Sequence, residues 1–297
     1  MANESGTSAV VGFLNTSVIQ KLVHWYLIDN NPAQMHSYIS PISGQGTDTA
    51  AFSRITKQTA LSGTITELSG LSNTAFQASK VTAAVSEIGV LRQFTKKVER
   101  LNILGPDGLH RAAIEDAIKL CLEKFETDIW ALFASASTSV GTTNTVYTVA
   151  NFAAAISQHT INKSVGPIVA MLTATQTKNL RADIVSNGSG VFAAGLGNDV
   201  MKPVGTNGYV GTFFGVPTYT NNLAATANGA VDKVGCHMVD GNAYPQGAPY
   251  AMALGWMPEV SSLAQPAFSG GMQVAVTMCY GGVEVTDGAY VANITAA

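Results

Sequence analysis

The chain has 297 residues, 46% of them hydrophobic and only 12% charged, with 16 Lys+Arg against 19 Asp+Glu for a net charge of −3. This pairing of high hydrophobicity with about half the usual charged content excludes general disorder. The near-balance of charge excludes a strong overall field for nucleic acid.

So little charge on a long chain with 29 glycines suits a surface covered by neighbours better than one alone in water. Cys121, Cys236 and Cys279 are odd in number and lack C-x-x-C spacing, so they form neither a disulfide framework nor a zinc site. The start, Met1-Ala-Asn-Glu-Ser-Gly-Thr, has no basic region followed by an apolar run. Nor does any stretch approach the ~18 apolar residues of a membrane span. Together these features place the chain in a cytoplasm or in a particle assembled there, without membrane contact.

Residues 1–45 read as a small-residue tail and an arm. Val18, Leu22, Trp25 and Ile28 share a helical face after Ser17 as N-cap, and Asp29-Asn-Asn-Pro32 ends that helix. Residues 46–80 alternate Thr and Ile with Ser-Gly turns and have Phe52, Ile55, Leu61, Leu68 and Phe76 as large apolar anchors. They predict a weakly hydrophobic β-ribbon, which needs a neighbour to lie on. Val81, Ala83 and Val85, then Val90, Arg92 and Phe94, give period-two stretches that predict a long strand, bent or bulged at Gly89.

The clearest helix runs from Asp107, its predicted N-cap, to about Ser135. Ile114, Ile118, Leu122, Phe125, Ile129 and Leu132 step by three and four along one stripe. Glu115–Lys119 and Lys124–Asp128 are opposite charges four apart on its back. At ~1.5 Å per residue the rod is roughly 40 Å long. A helix from Tyr147 to Thr160, capped by Thr148, follows a Ser/Thr/Gly stretch. Beyond it come a buried-type strand at Gly166–Leu172, a short helix at Thr175–Ile184, and a Gly-rich loop over 186–208. Further strands are expected at Tyr209–Phe214, Val216–Thr220, Val234–Val239, Tyr250–Trp256, Gly271–Tyr280 and Val283–Ile294. Strands and helices without regular βαβ alternation make this an α+β chain.

Catalytic patterns are sparse. Gly195-Leu-Gly197 has only two glycines of a dinucleotide fingerprint, and no phosphate loop, serine elbow or zincin helix occurs. Cys236 and His237 are adjacent in a strand, so their side chains diverge. His24, His36, His110 and His159 show no ligand spacing. Arg92, Lys96, Lys97 and Arg100 form a basic cluster too small for a nucleic-acid footprint and are read as a strand-end or subunit contact. No catalytic, cofactor or metal residue is assigned.

The order of elements (arm, ribbon, long strand, spine-length helix, compact mixed region, strand-rich return) resembles the major capsid protein of tailed bacteriophages, the Hong Kong 97-type fold. Gly215-Val-Pro-Thr-Tyr-Thr-Asn-Asn-Leu223 is similar to a phrase common in the axial (A) domains of that family, and Ser79-Lys-Val-Thr-Ala-Ala-Val-Ser-Glu-Ile-Gly89 is similar to its strand after the ribbon. The resemblance spans nearly the whole chain. It implies an N-terminal arm (1–45), an E-loop (46–80), a peripheral (P) domain (81–148) with spine helix 107–135, an A domain (149–262), and C-terminal strands (263–297) returning to the P domain.

The implied role is structural and non-enzymatic. Hexamers and pentamers of this chain would tile an icosahedral shell around double-stranded DNA, without sequence-specific binding. The chain would reside in the virion and assemble in the host cytoplasm with a portal, a decoration or cement protein, and a scaffold. Because Met1 stands only some forty residues before the ribbon, that scaffold is expected to be a separate protein. The ribbon anchors Phe52, Ile55, Leu61, Leu68 and Phe76 would meet a neighbouring subunit, while Ile114, Ile118, Leu122, Phe125 and Ile129 would form the spine-helix core. Lys57 lies in the ribbon but carries no local signature of a Lys–Asn cross-link. The alternatives are an encapsulin-type compartment of the same fold, which encloses enzymes, and a soluble hydrolase.

Overall fold

A computed structural model describes residues 31–55, 78–101, 105–164, 166–187, 208–221, 223, 226–227, 232–265, 271–286 and 290–296. In chain order the elements are α1 (Pro32–His36), β1 (Tyr38–Pro41), β2 (Thr49–Ile55), β3 (Ala78–Ala84), β4 (Ser86–Phe94), α2 (Lys96–Leu101) and α3 (Gly105–Leu132). There follow β5 (Ser139–Val140), α4 (Val149–Ile161), β6 (Ile168–Thr173), α5 (Ala174–Asn187), β7 (Tyr209–Phe213), β8 (Val216–Asn221), β9 (Thr226–Ala227), β10 (Asp232–Val239), β11 (Tyr250–Gln265), β12 (Gly271–Glu284) and β13 (Tyr290–Ala296).

The helix α3 is the spine. Ile114, Ile118, Leu122, Phe125 and Ile129 recur every three or four residues and are all buried, while Lys119, Glu123 and Lys124 on the back are exposed. The stripe lies on a first sheet of order β1-β11-β12-β4. There it meets Val274, Val276, Met278 and Tyr280 of β12 and Tyr250, Met252 and Leu254 of β11. Phe125 and Tyr280 pack edge to face at 4.7 Å. Each such side chain contributes about 1.5–3 kcal/mol by leaving water. The alternate residues Ala251 and Ala253 face the other way, onto the ribbon β2–β3.

A second sheet has the order β5-β13-β10-β6-β8-β7, with β9 on β10. Its central strand β6 is apolar at consecutive positions because both faces are covered. Val169 and Met171 join the spine core, whereas Ala170 and Leu172 join a separate core with Phe152 of α4 and Leu180 of α5. The helix α4 begins where Thr148 accepts a hydrogen bond from the Asn151 N–H. The next helix, α5, opens on a reciprocal capping box. The Thr173 hydroxyl oxygen accepts from the Gln176 N–H, and the Gln176 side-chain oxygen accepts from the Thr173 N–H, both at 3.1 Å.

Several expectations need correcting. Gly89 is not a bulge: it pairs with Thr277 in unbroken register, and the break falls at Val85, between β3 and β4. Gly89 sits in a crowded place instead, since a Cβ there would stand 3.0 Å from the Thr277 methyl. The strand ends at Phe94, the last residue of the period-two pattern. Thr95 starts α2 there by accepting the Glu99 N–H at 3.1 Å on its carbonyl. Asp107 does not cap α3, which begins two residues earlier. Pro32 opens a helix instead of only ending one, because the first helical position needs no N–H. The helix expected at Val18–Ile28 and most of the Gly-rich loop over 186–208 lie outside the described residues.

The C-terminal return also differs. The strand β11 runs 16 residues, from Tyr250 to Gln265, through register shifts around Trp256, so the expected 262/263 boundary falls inside one strand. The last strand, β13, leaves the first sheet and pairs antiparallel with β10, His237 opposite Val291.

Candidate functional site

The described histidines and the three cysteines are built into packing. Cys236 points into the spine core, while His237 stacks edge-on to Phe152 at 4.6 Å on the opposite face of β10. His159 Nε2 lies 3.1 Å from the His237 carbonyl, and burial lowers its pKa. His110 meets Glu99 at 3.2 Å, which ties α2 to the spine. All three thiols are buried, and desolvation raises the pKa of Cys121 and Cys279. Among the described residues no group of three or more His, Cys, Asp or Glu is placed to hold a metal ion. No described helix is long and apolar enough to cross a membrane.

The spine charges are used differently from their sequence pairing. Lys124 and Asp128 do form an ion pair, but Glu115 is held by Arg111 at 3.0 Å. The basic cluster divides. Arg92 reaches Asp116 on the spine at 2.7 Å, while Lys96, Lys97 and Arg100 are exposed on α2.

The ribbon is rooted in its own chain. Strands β2 and β3 pair from Thr49–Ala84 to Ile55–Ala78. Phe52, expected at an intersubunit contact, is instead buried with Ile42, Ala50, Ala83, Ala251, Ala253 and Val285. Ala251 and Ala253 are small, which leaves room between ribbon and sheet for Phe52, with Tyr38 packed edge to face on it at 6.1 Å. Ile55 ends β2 opposite Ala78, and Leu61, Leu68 and Phe76 lie outside the described residues.

Beyond the ribbon root the same side of the first sheet is open. Trp256 on β11 and Leu91 on β4 are 37% and 47% exposed there. On α2, Val98 and Leu101 are exposed beside the lysines. The sequence signal was present but weak. Leu91 sits out of phase with Val90 and Arg92, on the face away from the helix.

Sequence reasoning also missed a junction at the middle of the spine. Glu126 is fully buried, one position off the apolar stripe between Phe125 and Ile129. Its Oε1 accepts from the Ala33 N–H at 3.1 Å, from Trp130 Nε1 at 2.9 Å and from Asn221 Nδ2 at 3.1 Å. These donors come from α1, α3 and the end of β8. Burial pushes the Glu126 pKa up to about 7, and the donors pull against that rise. Next to it His36 stacks on Tyr219 at 4.9 Å and pairs with Asp240 at 3.4 Å. The Gly241 N–H donates to the His36 carbonyl at 2.8 Å, and Asn242 Nδ2 donates to the Met35 carbonyl. Residues 31–41 are thus tied to the spine, to the second sheet, and through β1 to the first. Tyr219 and Asn221 both belong to the Gly215–Leu223 phrase.

No protein-family profile matches the chain, and no curated protein matches it. Solved structures do. The capsid of Ralstonia phage GP4 matches with TM-score 0.66 at 9% identity, over 91% of this chain and 92% of that one. The acidic stable capsid of Helicobacter pylori bacteriophage KHP30 matches with TM-score 0.66 at 11% identity, over 92% and 90%. The holo-SrpI encapsulin complex from Synechococcus elongatus matches with TM-score 0.62 at 11% identity, over 88% and 86%. At these identities the likeness establishes the fold: the chain has the mixed helix-and-sheet Hong Kong 97-type fold of phage capsids.

Proposed function

We propose that this chain, with its Hong Kong 97-type fold, is the coat subunit of an icosahedral phage head enclosing double-stranded DNA. The observation that carries the reading is the extent of the likeness. Phage capsid chains align with this one over about nine-tenths of both partners, which leaves no room for an inserted catalytic domain. The ribbon root, with open apolar surface beside it at Leu91 and Trp256, supports the same reading, because exposed patches of this kind mark contacts with other chains.

In this proposal the N-terminal arm is residues 1–45 and the E-loop 46–80. The P domain is the spine with the first sheet, and the A domain is the second sheet with α4 and α5. Phe52 anchors the E-loop at home, and Ile55, Leu61, Leu68 and Phe76 carry it onto an adjacent subunit. Hexamers and pentamers of this chain form the shell, with a scaffolding protein, a portal and a decoration protein as partners, and the chain performs no catalysis. Low surface charge keeps the wall from gripping the genome.

Light scattering of the purified protein across salt and concentration tests this. Oligomers or shells are expected, and a lone species of about 31 kDa under all conditions contradicts it. The encapsulin likeness favours a second reading, a protein compartment. Particles from the native host decide between them: nuclease-protected double-stranded DNA supports the head, and a co-purifying cargo enzyme supports the compartment.

A further inference from the structure

The outer face of the first sheet, on the side away from the spine helix, carries two carboxylates among its open apolar residues. Glu87 of β4 and Trp256 of β11 flank Cys279 of β12 in one row, and Gly89 and Glu259 flank Thr277 in the next row on that face. Leu91 stands beyond them, opposite Ala275. Burial raises the Cys279 pKa and the Glu87 charge adds to the rise, so these two side chains share the face. Glu87, Glu259, Leu91 and Trp256 are all exposed. The small residues Gly89, Ala275 and Thr277 stand between Leu91 and Trp256, which makes a shallow trough with an acidic border.

The short helix α2 presents the opposite chemistry. Glu99 is held by His110 of the spine at 3.2 Å, while Lys96, Lys97 and Arg100 are exposed together with Val98 and Leu101. No ion pair among the described residues engages any of the five charges Glu87, Glu259, Lys96, Lys97 and Arg100. The two surfaces cannot meet within one chain. The helix follows Phe94 and is fastened to the spine, on the helix side of the sheet. Glu87 lies on the other side, seven residues back along β4, which is about 23 Å at ~3.3 Å per residue.

We propose that α2 of one copy docks on the outer face of the first sheet of a second copy, with Val98 and Leu101 in the trough between Leu91 and Trp256 and the three cations against Glu87 and Glu259. Such a contact has an apolar centre with an aromatic residue and a charged rim, the usual build of a protein interface. Both complementary halves belong to the same chain, which favours a second copy over a foreign acidic partner. The contact is head to tail: each copy offers α2 to one neighbour and receives α2 from another, and it closes into a ring where the rotation permits. The inference rests on the shell reading and gives the subunits a second joint beside the ribbon, neither of which holds a shell alone.

Charge exchange in the full-length protein tests the joint, read as the share of protein in particles by light scattering and negative stain. Lys97→Glu with Arg100→Glu should lower that share about tenfold or more at unchanged melting temperature, and so should Glu87→Lys with Glu259→Lys, because like charges then face each other. All four substitutions in one chain should restore it. Disulfide trapping with diamide locates the contact: assembled Leu101→Cys/Trp256→Cys protein should give a ladder of linked chains, and Leu68→Cys/Trp256→Cys protein should not. A ladder from the Leu68 variant would put the ribbon on this face and overturn the joint. Full assembly of either double charge variant, no recovery in the fourfold one, or no ladder from the Leu101 variant would overturn it as well. A wild type that stays at about 31 kDa overturns the shell reading and the joint with it, whereas wild-type particles with any of the contrary results overturn the joint alone.

Discussion

The spine helix and the ribbon root bury apolar surface in opposite ways. On α3, large side chains at three- and four-residue steps meet valines and a tyrosine of the sheet, giving a thick core shared by both sheets. On the ribbon root Phe52, met edge to face by Tyr38 of β1 at 6.1 Å, fills a thin layer otherwise built mainly of alanines and valines, with Ile42 beside it. The contrast separates two jobs. The spine determines whether the subunit folds. The root adds a small separate core that fastens β2–β3 to the first sheet.

The largest effect separating the two comes from placing a charge under the spine. Phe125→Asp or Ile118→Asp is expected to cost several kcal/mol, comparable to the stability of a whole domain, and to abolish soluble folded protein. Soluble yield and thermal melting check this, and normal melting would place the stripe in solvent. At the root, Phe52→Ala is expected to cost about 3 kcal/mol for the emptied site yet leave a cooperative fold. A change in melting temperature near zero would return Phe52 to the intersubunit surface.

The pH dependence sharpens the comparison from within the spine. The Glu126 pKa is raised when folded, from an ordinary 4.5 to about 7. The folded state therefore binds its proton more tightly than the unfolded one. The stabilisation is complete below pH 4.5 and is lost as pH rises to about 7, a change of about 3 kcal/mol. Denaturant unfolding of the wild type and Glu126→Gln at pH 5 and pH 8 should show the difference only in the wild type. A smaller effect, about 2 kcal/mol, is expected for Gly235→Ala, because the new Cβ would overlap the Gln176 side-chain oxygen, spoiling the capping box of α5, and would stand 2.8 Å from the Met171 carbonyl oxygen of β6. Unchanged melting would mean that both Gln176 and the backbone at Met171 yield freely.

What was legible in the sequence follows the strength of local periodicity. The spine stripe, the Thr148 cap and the two-faced run at β6 were readable because each sets its pattern within a dozen residues. Elements whose partners are distant were not. The turn α1 and strand β1 exist because Glu126, Asp240–Asn242 and β11 hold them from 90 to more than 200 positions away. The destination of β13 is set by pairing with β10, which no local pattern encodes. Glu126 looked like one more helix carboxylate, since only the arrival of three donors distinguishes it from its exposed neighbours.

At the candidate site, sequence reading expected Phe52 against a neighbouring subunit, whereas the structure buries it against its own sheet. An apolar anchor in a Thr/Ser ribbon reads the same whether it is covered by its own sheet or by another subunit. Ala251 and Ala253, two hundred residues on, decide the matter.

The central claim is that the spine folds the subunit and the ribbon beyond its root joins subunits. Replacing residues 56–77 with a short Gly-Ser turn, keeping β2, β3 and Phe52, and imaging both proteins by negative stain tests it most directly. Closed shells or tubes from the wild type, and folded, cooperatively melting but unassembled subunits from the trimmed chain, are the predicted result. Normal shells from the trimmed chain, or no assembly by the wild type, would contradict it.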